Sequence, residues 1–182
     1  MKKITALLLG IIMTFCSGEM VFALTKDEAK KIDLTESANL TAEELELGLK
    51  GNLKGLGENF VSAEEEHGVN ALFLAGLAAL ESGWGKHCFK QNNLFGWSGK
   101  SFESFDDCID YVAKKLAENY LDENGKHYHG SDLAGVNKSY CGTDQWLSGV
   151  AGTMVKISNG IDKKKAENEQ NAAESTGNVT FR

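Results

Sequence analysis

The sequence contains no proline and only 4 cysteines among its 182 residues. Without proline, the 20 glycines are the main residues available to end helices and form turns. Basic residues are also few, because 19 Lys and Arg stand against 26 Asp and Glu, which gives a net charge of −7. A protein that binds nucleic acid needs a basic surface, so this balance argues against a nucleic-acid partner. We therefore expect the chain to recognise its ligand through shaped contacts rather than bulk attraction.

Residues 1–23 have the pattern of a secretory signal peptide. Lys2 and Lys3 precede an apolar stretch, and the small residue Ala23 ends a cleavage-site pattern. Glu19 interrupts the apolar run and leaves it shorter than the about 20 residues that a membrane helix needs. An uncleaved anchor is the alternative. We predict a secreted, extracellular protein with no membrane span once the signal is cleaved.

Cleavage of the signal would leave three cysteines, Cys88, Cys108 and Cys141. In an exported protein we expect one disulfide and one free thiol, and all three pairings are possible. The pair Cys88–Cys108 is slightly favoured because both residues flank a predicted hairpin. The sequence has no Cys-x-x-Cys spacing, and His127 and His129 alone do not form a metal site. We therefore predict neither a metal nor a cofactor.

Hydrophobic periodicity predicts one mainly helical domain over residues 40–160. Residues 24–39 would form a loose leader segment, and residues 161–182 a disordered polar tail. The run 71–80 is apolar all the way round, so as a helix it must be buried on every side. Two short strands within 94–105 would add a small β-hairpin. The predicted fold class is therefore mainly α (α+β), built around a buried central helix.

Glu81 follows the apolar run directly and precedes a turn rich in glycine. Burial disfavours the charged form of a carboxyl group, and the carbonyl groups at the C-terminal end of a helix act in the same direction. Both effects would raise the pKa of Glu81, as a general acid that works near neutral pH requires. The alternative is a solvated glutamate at a frayed helix end, and spacing alone does not separate the two.

Six short motifs occur in order along residues 40–157. They are LTAEEL at 40–45, LKGLG at 53–57, GVN at 68–70, ALESGWG at 79–85, NNLFGW at 92–97, and Tyr140 with Asp144 and Trp146. Together they resemble the bacterial glucosaminidases of glycoside hydrolase family 73, which have a lysozyme-like fold. The set is specific as a whole, although the first two motifs would be weak alone.

The resemblance implies an enzyme that hydrolyses the β-1,4 bond on the reducing side of N-acetylglucosamine in peptidoglycan. Glycan strands of peptidoglycan are then the expected partner, and the cell wall is the expected location. Glu81 matches the family's general acid, and Tyr140 matches a tyrosine that lines its active site. Family members complete the reaction either with a carboxylate on a mobile hairpin or with the substrate's own acetamido group. Glu103 is the only carboxylate of the predicted hairpin, so it is the candidate for the second catalytic group.

The predicted substrate-binding residues are Trp84, Asn93, Phe95 and Trp97. Trp84 lies three residues after the acid, and in lysozyme a tryptophan against the acid belongs to the apolar pocket that raises its pKa. Phe95 and Trp97 could offer aromatic faces to sugar rings, although aromatic residues are more often part of a core, as we favour for Phe95. Trp146 falls on the apolar stripe of the last helix and is predicted to be core.

Two other functions stay open on the sequence alone. A muramidase or lytic transglycosylase would cleave the other bond of the wall glycan with the same fold and one acid. A catalytically inactive module would use the same groove only to bind wall glycan.

Overall fold

The computed structural model describes residues 23–177, so the predicted signal peptide, apart from Ala23, lies outside the described residues. This part of the chain contains seven α-helices: α1 Lys26–Ala29, α2 Ala42–Gly48, α3 Gly57–His67, α4 Ala71–Glu81, α5 Phe105–Leu116, α6 Leu133–Tyr140 and α7 Asp144–Gly177. Short 3-10 segments occur at Gly51–Leu53 and Trp97–Gly99, and a π-helical turn, Ala117–Leu121, continues α5. Within residues 23–177 no helix is long and apolar enough to cross a membrane.

Helix α4 forms the centre of the fold because its residues are apolar around the whole circumference. The Asn70 side chain caps its first turn by accepting a hydrogen bond of 3.0 Å from the Phe73 amide. Leu74 and Leu77 are fully buried, and burial of one such side chain contributes about 1.5–3 kcal/mol. The prediction of a buried central helix is therefore confirmed.

Helix α7 approaches α4 closely because small residues lie at their contact. A Cβ atom added at Gly76 would lie 2.6 Å from Met154 Cγ, and one added at Gly149 would lie 3.0 Å from a methyl group of Leu80. Thr153 Oγ1 also donates a hydrogen bond of 2.7 Å to the Gly76 carbonyl oxygen. These contacts fix the C-terminal half of α4 against the first half of α7.

Residues 24–39 pack as part of the helical body rather than forming the loose leader that the sequence predicted. Helix α1 contacts α7, and Leu34 is fully buried. The buried carboxylate of Glu64 accepts hydrogen bonds from the Ala38 amide at 2.8 Å and from the Ala71 amide at 2.6 Å. One carboxylate thus ties this segment to the first turn of the central helix.

The predicted β-hairpin is absent, since the described residues contain no strand, and the α+β assignment is wrong for them. Two asparagine side chains satisfy the backbone groups that a hairpin would pair between strands. Asn93 accepts from the Trp97 amide and donates to the Lys100 carbonyl, both at 2.9 Å. Asn92 donates to the Glu103 carbonyl at 2.8 Å. The segment therefore folds as a 3-10 turn and an irregular loop.

Helix α7 continues to Gly177, whereas the sequence predicted a disordered tail from residue 161. Ile161 is still buried, and Lys165 forms an ion pair with Glu44 of α2. The following residues are mostly exposed, but Lys, Ala, Glu and Gln are good helix formers and can extend a helix without core contacts. The division of the chain into domains remains a prediction.

Candidate active site

A cavity of about 310 Å³ lies where the C-terminal end of α4 meets the first turn of α7. Its other walls come from the 3-10 turn, the π-helical turn and the end of α6. The lining residues are Glu81, Phe95, Gly96, Trp97, Ser98, Tyr120, Tyr140, Cys141 and Trp146. Among them Glu81 is the only carboxylate, so any reaction in this cavity that uses a carboxyl group of the lining depends on Glu81.

Glu81 is the last residue of α4 and is half-buried. Burial raises the pKa of Glu81, because removal of water disfavours the charged carboxylate. Trp146 Nε1 donates a hydrogen bond of 2.6 Å to Glu81 Oε1. This bond favours the carboxylate and opposes part of the rise in pKa. A carboxyl group whose pKa is raised in this way holds its proton to a higher pH than a free glutamate, as a general acid requires.

The turn after Glu81 is held by hydrogen bonds and by glycine. The buried Ser82 hydroxyl donates to the Ala78 carbonyl at 2.6 Å and accepts from the Gly85 amide at 2.8 Å. Gly83 and Gly85 have left-handed φ angles of 57° and 75°, which glycine adopts without strain. The chain therefore leaves the end of α4 abruptly.

Five aromatic residues line the cavity beside Glu81, and the rings of four of them, Trp97, Tyr120, Tyr140 and Trp146, contact one another. Tyr140 stacks on Trp146, with ring centroids 5.0 Å apart and an angle of 29° between the rings. The Trp97 ring lies 6.0 Å from Tyr140 and 6.2 Å from Tyr120. Since these side chains come from four different segments, packing fixes the wall. Such a wall offers aromatic faces to the apolar faces of sugar rings.

The Tyr140 hydroxyl donates a hydrogen bond of 3.0 Å to the Phe95 carbonyl oxygen. Burial, with a further contribution from the charge of Glu81, raises the pKa of Tyr140 well above its ordinary value. The hydroxyl therefore stays protonated and acts as a donor. In this arrangement Tyr140 positions the loop at Phe95 and supplies a ring to the wall.

Three predicted site residues lie elsewhere. The Trp84 carbonyl accepts a hydrogen bond of 2.9 Å from the Asn52 amide, and Lys50 Nζ lies 5.7 Å from the Trp84 ring centroid. Asn93 is buried and bonded to the loop backbone, and Glu103 is exposed in a separate depression beside α5. Glu81, Phe95, Trp97 and Tyr140 thus line one cavity, and Trp84, Asn93 and Glu103 do not line it, although Asn93 supports the loop that carries Phe95 and Trp97.

Sequence reasoning missed Trp146 and Tyr120 as residues of the site. Both fall on apolar helical stripes, and both are largely buried, so their spacing resembles that of core residues. The available signal was chemical, because a buried tryptophan or tyrosine usually finds a partner for its polar atom. Trp146 finds Glu81, and it takes the place beside the acid that the sequence assigned to Trp84.

The three described cysteines are free, so the predicted disulfide is not present between them. Burial raises the pKa of Cys108 to about 12. A thiol with so high a pKa is rarely a thiolate and reacts slowly. Cys141 is exposed and lines the cavity with Glu81.

Glu66, His67 and Asp110 could jointly hold a metal ion, since their ligand atoms lie within 4.8 Å of one another. His67 Nε2 lies 2.6 Å from Asp110 Oδ1, which links the end of α3 to α5. None of the three lines the cavity at Glu81.

Residues 57–159 match the family model described as "Glucosaminidase: Mannosyl-glycoprotein endo-beta-N-acetylglucosaminidase". The chain belongs to this glucosaminidase family. The match extends from the start of α3 into α7, so it contains the whole lining of the cavity. It lies inside the predicted domain, 40–160.

Similar curated proteins and solved structures agree with the family match. Two proteins of Streptococcus pneumoniae, both assigned as endo-beta-N-acetylglucosaminidases, are 35% identical to the chain over 72% of its length. The chain spans only 22% and 21% of their lengths. S. aureus autolysin E superposes with a TM-score of 0.59 and 25% identity, over 73% of this chain and 72% of that one. The same values of TM-score and identity relate the chain to autolysin E in complex with the muropeptide NAM-L-Ala-D-iGlu, over 74% of each chain.

Proposed function

We propose that the protein is an exported endo-β-N-acetylglucosaminidase that cleaves the β-1,4 bond between N-acetylglucosamine and N-acetylmuramic acid in peptidoglycan. The observation that carries this proposal is the half-buried carboxyl of Glu81, bonded to Trp146 inside a cavity walled by aromatic rings. Membership of the glucosaminidase family supports the reaction, and the likeness to an autolysin that binds a muropeptide supports the substrate.

Glu81 acts as the general acid in the proposed reaction. Its protonated carboxyl donates a proton to the glycosidic oxygen as the bond to the anomeric carbon breaks. The carboxylate that remains is stabilised by the Trp146 N–H. It then accepts a proton from the water that attacks the anomeric carbon, which restores the acid for the next cycle.

The substrate's own acetamido group is the second participant that the cavity favours. No carboxylate other than Glu81 lines it, and Glu103 lies in a different depression. We therefore propose that the acetamido oxygen attacks the anomeric carbon while Glu81 protonates the leaving oxygen. Water then opens the resulting ring with Glu81 as base.

Export to the cell wall is part of the proposal, supported by the signal pattern at 1–23 and by the substrate. The mass of the mature protein recovered from culture medium or wall extracts tests it. We expect a chain that begins after Ala23. Recovery of only the full-length chain from membranes would favour the uncleaved anchor.

Mass spectrometry of digested peptidoglycan tests the bond that is cleaved. Products with N-acetylglucosamine at the reducing end support the proposal. Reducing-end muramic acid would instead identify a muramidase, and anhydromuramic ends would identify a lytic transglycosylase. If purified protein releases no fragments but sediments with wall material, the glycan-binding module is the correct reading.

A further inference from the structure

A second cavity of about 380 Å³ adjoins the one that contains Glu81. Both cavities are lined by Trp97, Ser98 and Tyr120. The remaining walls of the second cavity are Lys115, Glu118, Asn119, Lys126 and His127. Because the two cavities share three lining residues, they lie side by side, and a branched ligand in the first could extend its branch across the shared residues towards the second.

The boundary between the two cavities is made of aromatic rings on a strained loop. The Trp97 and Tyr120 rings meet edge to face at 6.2 Å. Ser98, the third shared residue, has a left-handed φ of 46°, which is unusual for a residue with a side chain. Such strain tends to occur where a loop is held for binding. The boundary thus has a fixed shape that a branched ligand can straddle.

The second cavity differs from the first in its charge. Lys115 is paired with Glu118, whereas Lys126 is exposed and forms no ion pair with any described residue. The His127 ring packs on Tyr120 with centroids 4.9 Å apart, so it also faces the shared boundary. Lys126 is therefore a cationic group at the edge of this cavity that can pair with a negative group of a ligand.

We propose that the second cavity binds the peptide branch of a muramic acid unit through its free carboxylates, with Lys126 as the cationic contact. This inference rests on the proposed function and extends it, because it assigns a preference for glycan that still carries its stem peptide. Alternate sugars of the strand bear such a branch, so a strand in the Glu81 cavity can bring one to the boundary. Neutral sugar alone would leave Lys126 without a partner.

The test compares two muramyl-peptide glycans that differ only in charge, one with free peptide carboxylates and one with those groups amidated. We expect the wild type to cleave the free acid with a kcat/KM higher by about two- to fivefold, the range for an exposed charge pair. Lys126→Gln should bring the ratio close to one. Lys54→Gln, an exposed lysine outside both cavities, should keep the wild-type ratio. An unchanged ratio in Lys126→Gln would overturn the proposal.

A binding measurement separates this inference from the cleavage reaction itself. The free-acid muramyl peptide, without a cleavable bond, is titrated into each variant and followed by NMR shifts of backbone amides. We expect shifts at His127 and weaker binding in Lys126→Gln than in Lys54→Gln. If the glycan is cleaved but this probe binds equally to both variants, the proposed peptide subsite is wrong and the proposed enzymatic function is retained. If the probe binds as expected but no glycan is cleaved, the proposed enzymatic function is wrong and the proposed peptide subsite is retained.

Discussion

Helices α4 and α7 contact each other at two places that differ in chemistry. In the middle of α4, Gly76 lies so close to Met154 that a Cβ atom would not fit. At the end of α4, Glu81 meets Trp146 through a hydrogen bond beside an open cavity. The two places are separated by about 7–8 Å along α4. Residues further along α4 meet residues earlier in α7, so the helices are antiparallel.

The packed contact and the polar contact depend on each other. Close packing in the middle leaves the helices little freedom to slide, and the carboxyl and the indole therefore keep their distance and their burial. The burial that this packing imposes disfavours the folded state whenever Glu81 is ionised, because it raises the pKa of that carboxyl, and the Trp146 hydrogen bond offsets part of this effect. One pair of helices thus supplies stability in its middle and a reactive group at its end.

Glu81→Gln should remove the carboxylic acid from the active site while both the Gly76–Met154 contact and the hydrogen bond with Trp146 remain. Glutamine can still accept the Trp146 hydrogen bond, but it cannot donate the proton of a carboxylic acid. We expect peptidoglycan cleavage to fall by about 10²–10⁴-fold in a turbidity assay. Clearing at the wild-type rate would remove Glu81 from the reaction.

The same variant should be more stable than the wild type at neutral pH. The folded-state pKa of Glu81 is raised, so the stability that its neutral form contributes is lost as the pH rises through that pKa. Glutamine avoids this loss. The Tm difference should shrink as the pH falls from the raised folded-state pKa towards about 4.3, the value for an unfolded glutamate, and it should be absent below that pH. A difference that does not depend on pH would contradict the raised pKa.

Gly76→Ala should damage the packed contact. The added methyl would meet Met154, and overpacking of this kind costs about 1–3 kcal/mol in urea unfolding. Gly152→Ala is the matched control, since its methyl would meet only the flexible Lys26 side chain and alanine favours the helix by up to about 1 kcal/mol. Equal destabilisation by both substitutions would show that Gly76 does not pack closely enough against Met154 to exclude a methyl group.

Trp146→Phe should change the proton affinity of Glu81 while it keeps an aromatic ring beside Tyr140. The lost N–H bond favoured the carboxylate, so its removal raises the pKa of Glu81 further. The basic limb of the pH profile of kcat/KM should therefore move to higher pH. Trp97→Phe should leave the limb in place, because Trp97 donates nothing to Glu81. A shift of the Trp146→Phe limb to lower pH would contradict this assignment.

Glu103→Gln should have the smallest effect. Its side chain is exposed and lies in a depression separate from the cavity, and such surface changes stay within about twofold. A loss comparable to that of Glu81→Gln would show that Glu103 reaches the glycan, as the hairpin hypothesis requires.

The position of helix α4 and of Glu81 at its end could be predicted from the sequence, and the reason is physical. A helix that is apolar on all sides is stable only when it is buried, so the run 71–80 had to lie in the core. Glu81 directly follows this run, so it had to lie at the C-terminal end of the buried helix. The capping box of α2, formed by Thr41 and Glu44, is a feature of the same kind, because its bonds join residues only three apart in the sequence.

The remaining features depend on contacts between residues far apart in the chain. The Asn93 side chain forms hydrogen bonds with the backbone of its own loop, and the loop therefore needs no β-hairpin. The alternation of polar and apolar residues in the sequence does not reveal these bonds. Nothing in the glutamate run 64–66 indicates that Glu64 is the buried member that caps α4. The sequence pattern predicts Trp146 as a core residue, and it is buried, but its indole N–H donates a hydrogen bond to the carboxyl of Glu81, 65 residues earlier in the chain.

Substrates that differ in their need for a proton test most directly whether Glu81 is a general acid. Glu81→Gln is assayed on peptidoglycan glycan and on an aryl glycoside of the same disaccharide whose dinitrophenolate leaves without protonation. We predict a loss of about 10²–10⁴-fold on the glycan and a far smaller loss on the aryl glycoside. Equal losses on both substrates would contradict the account, because they would assign Glu81 to binding or folding rather than to proton transfer.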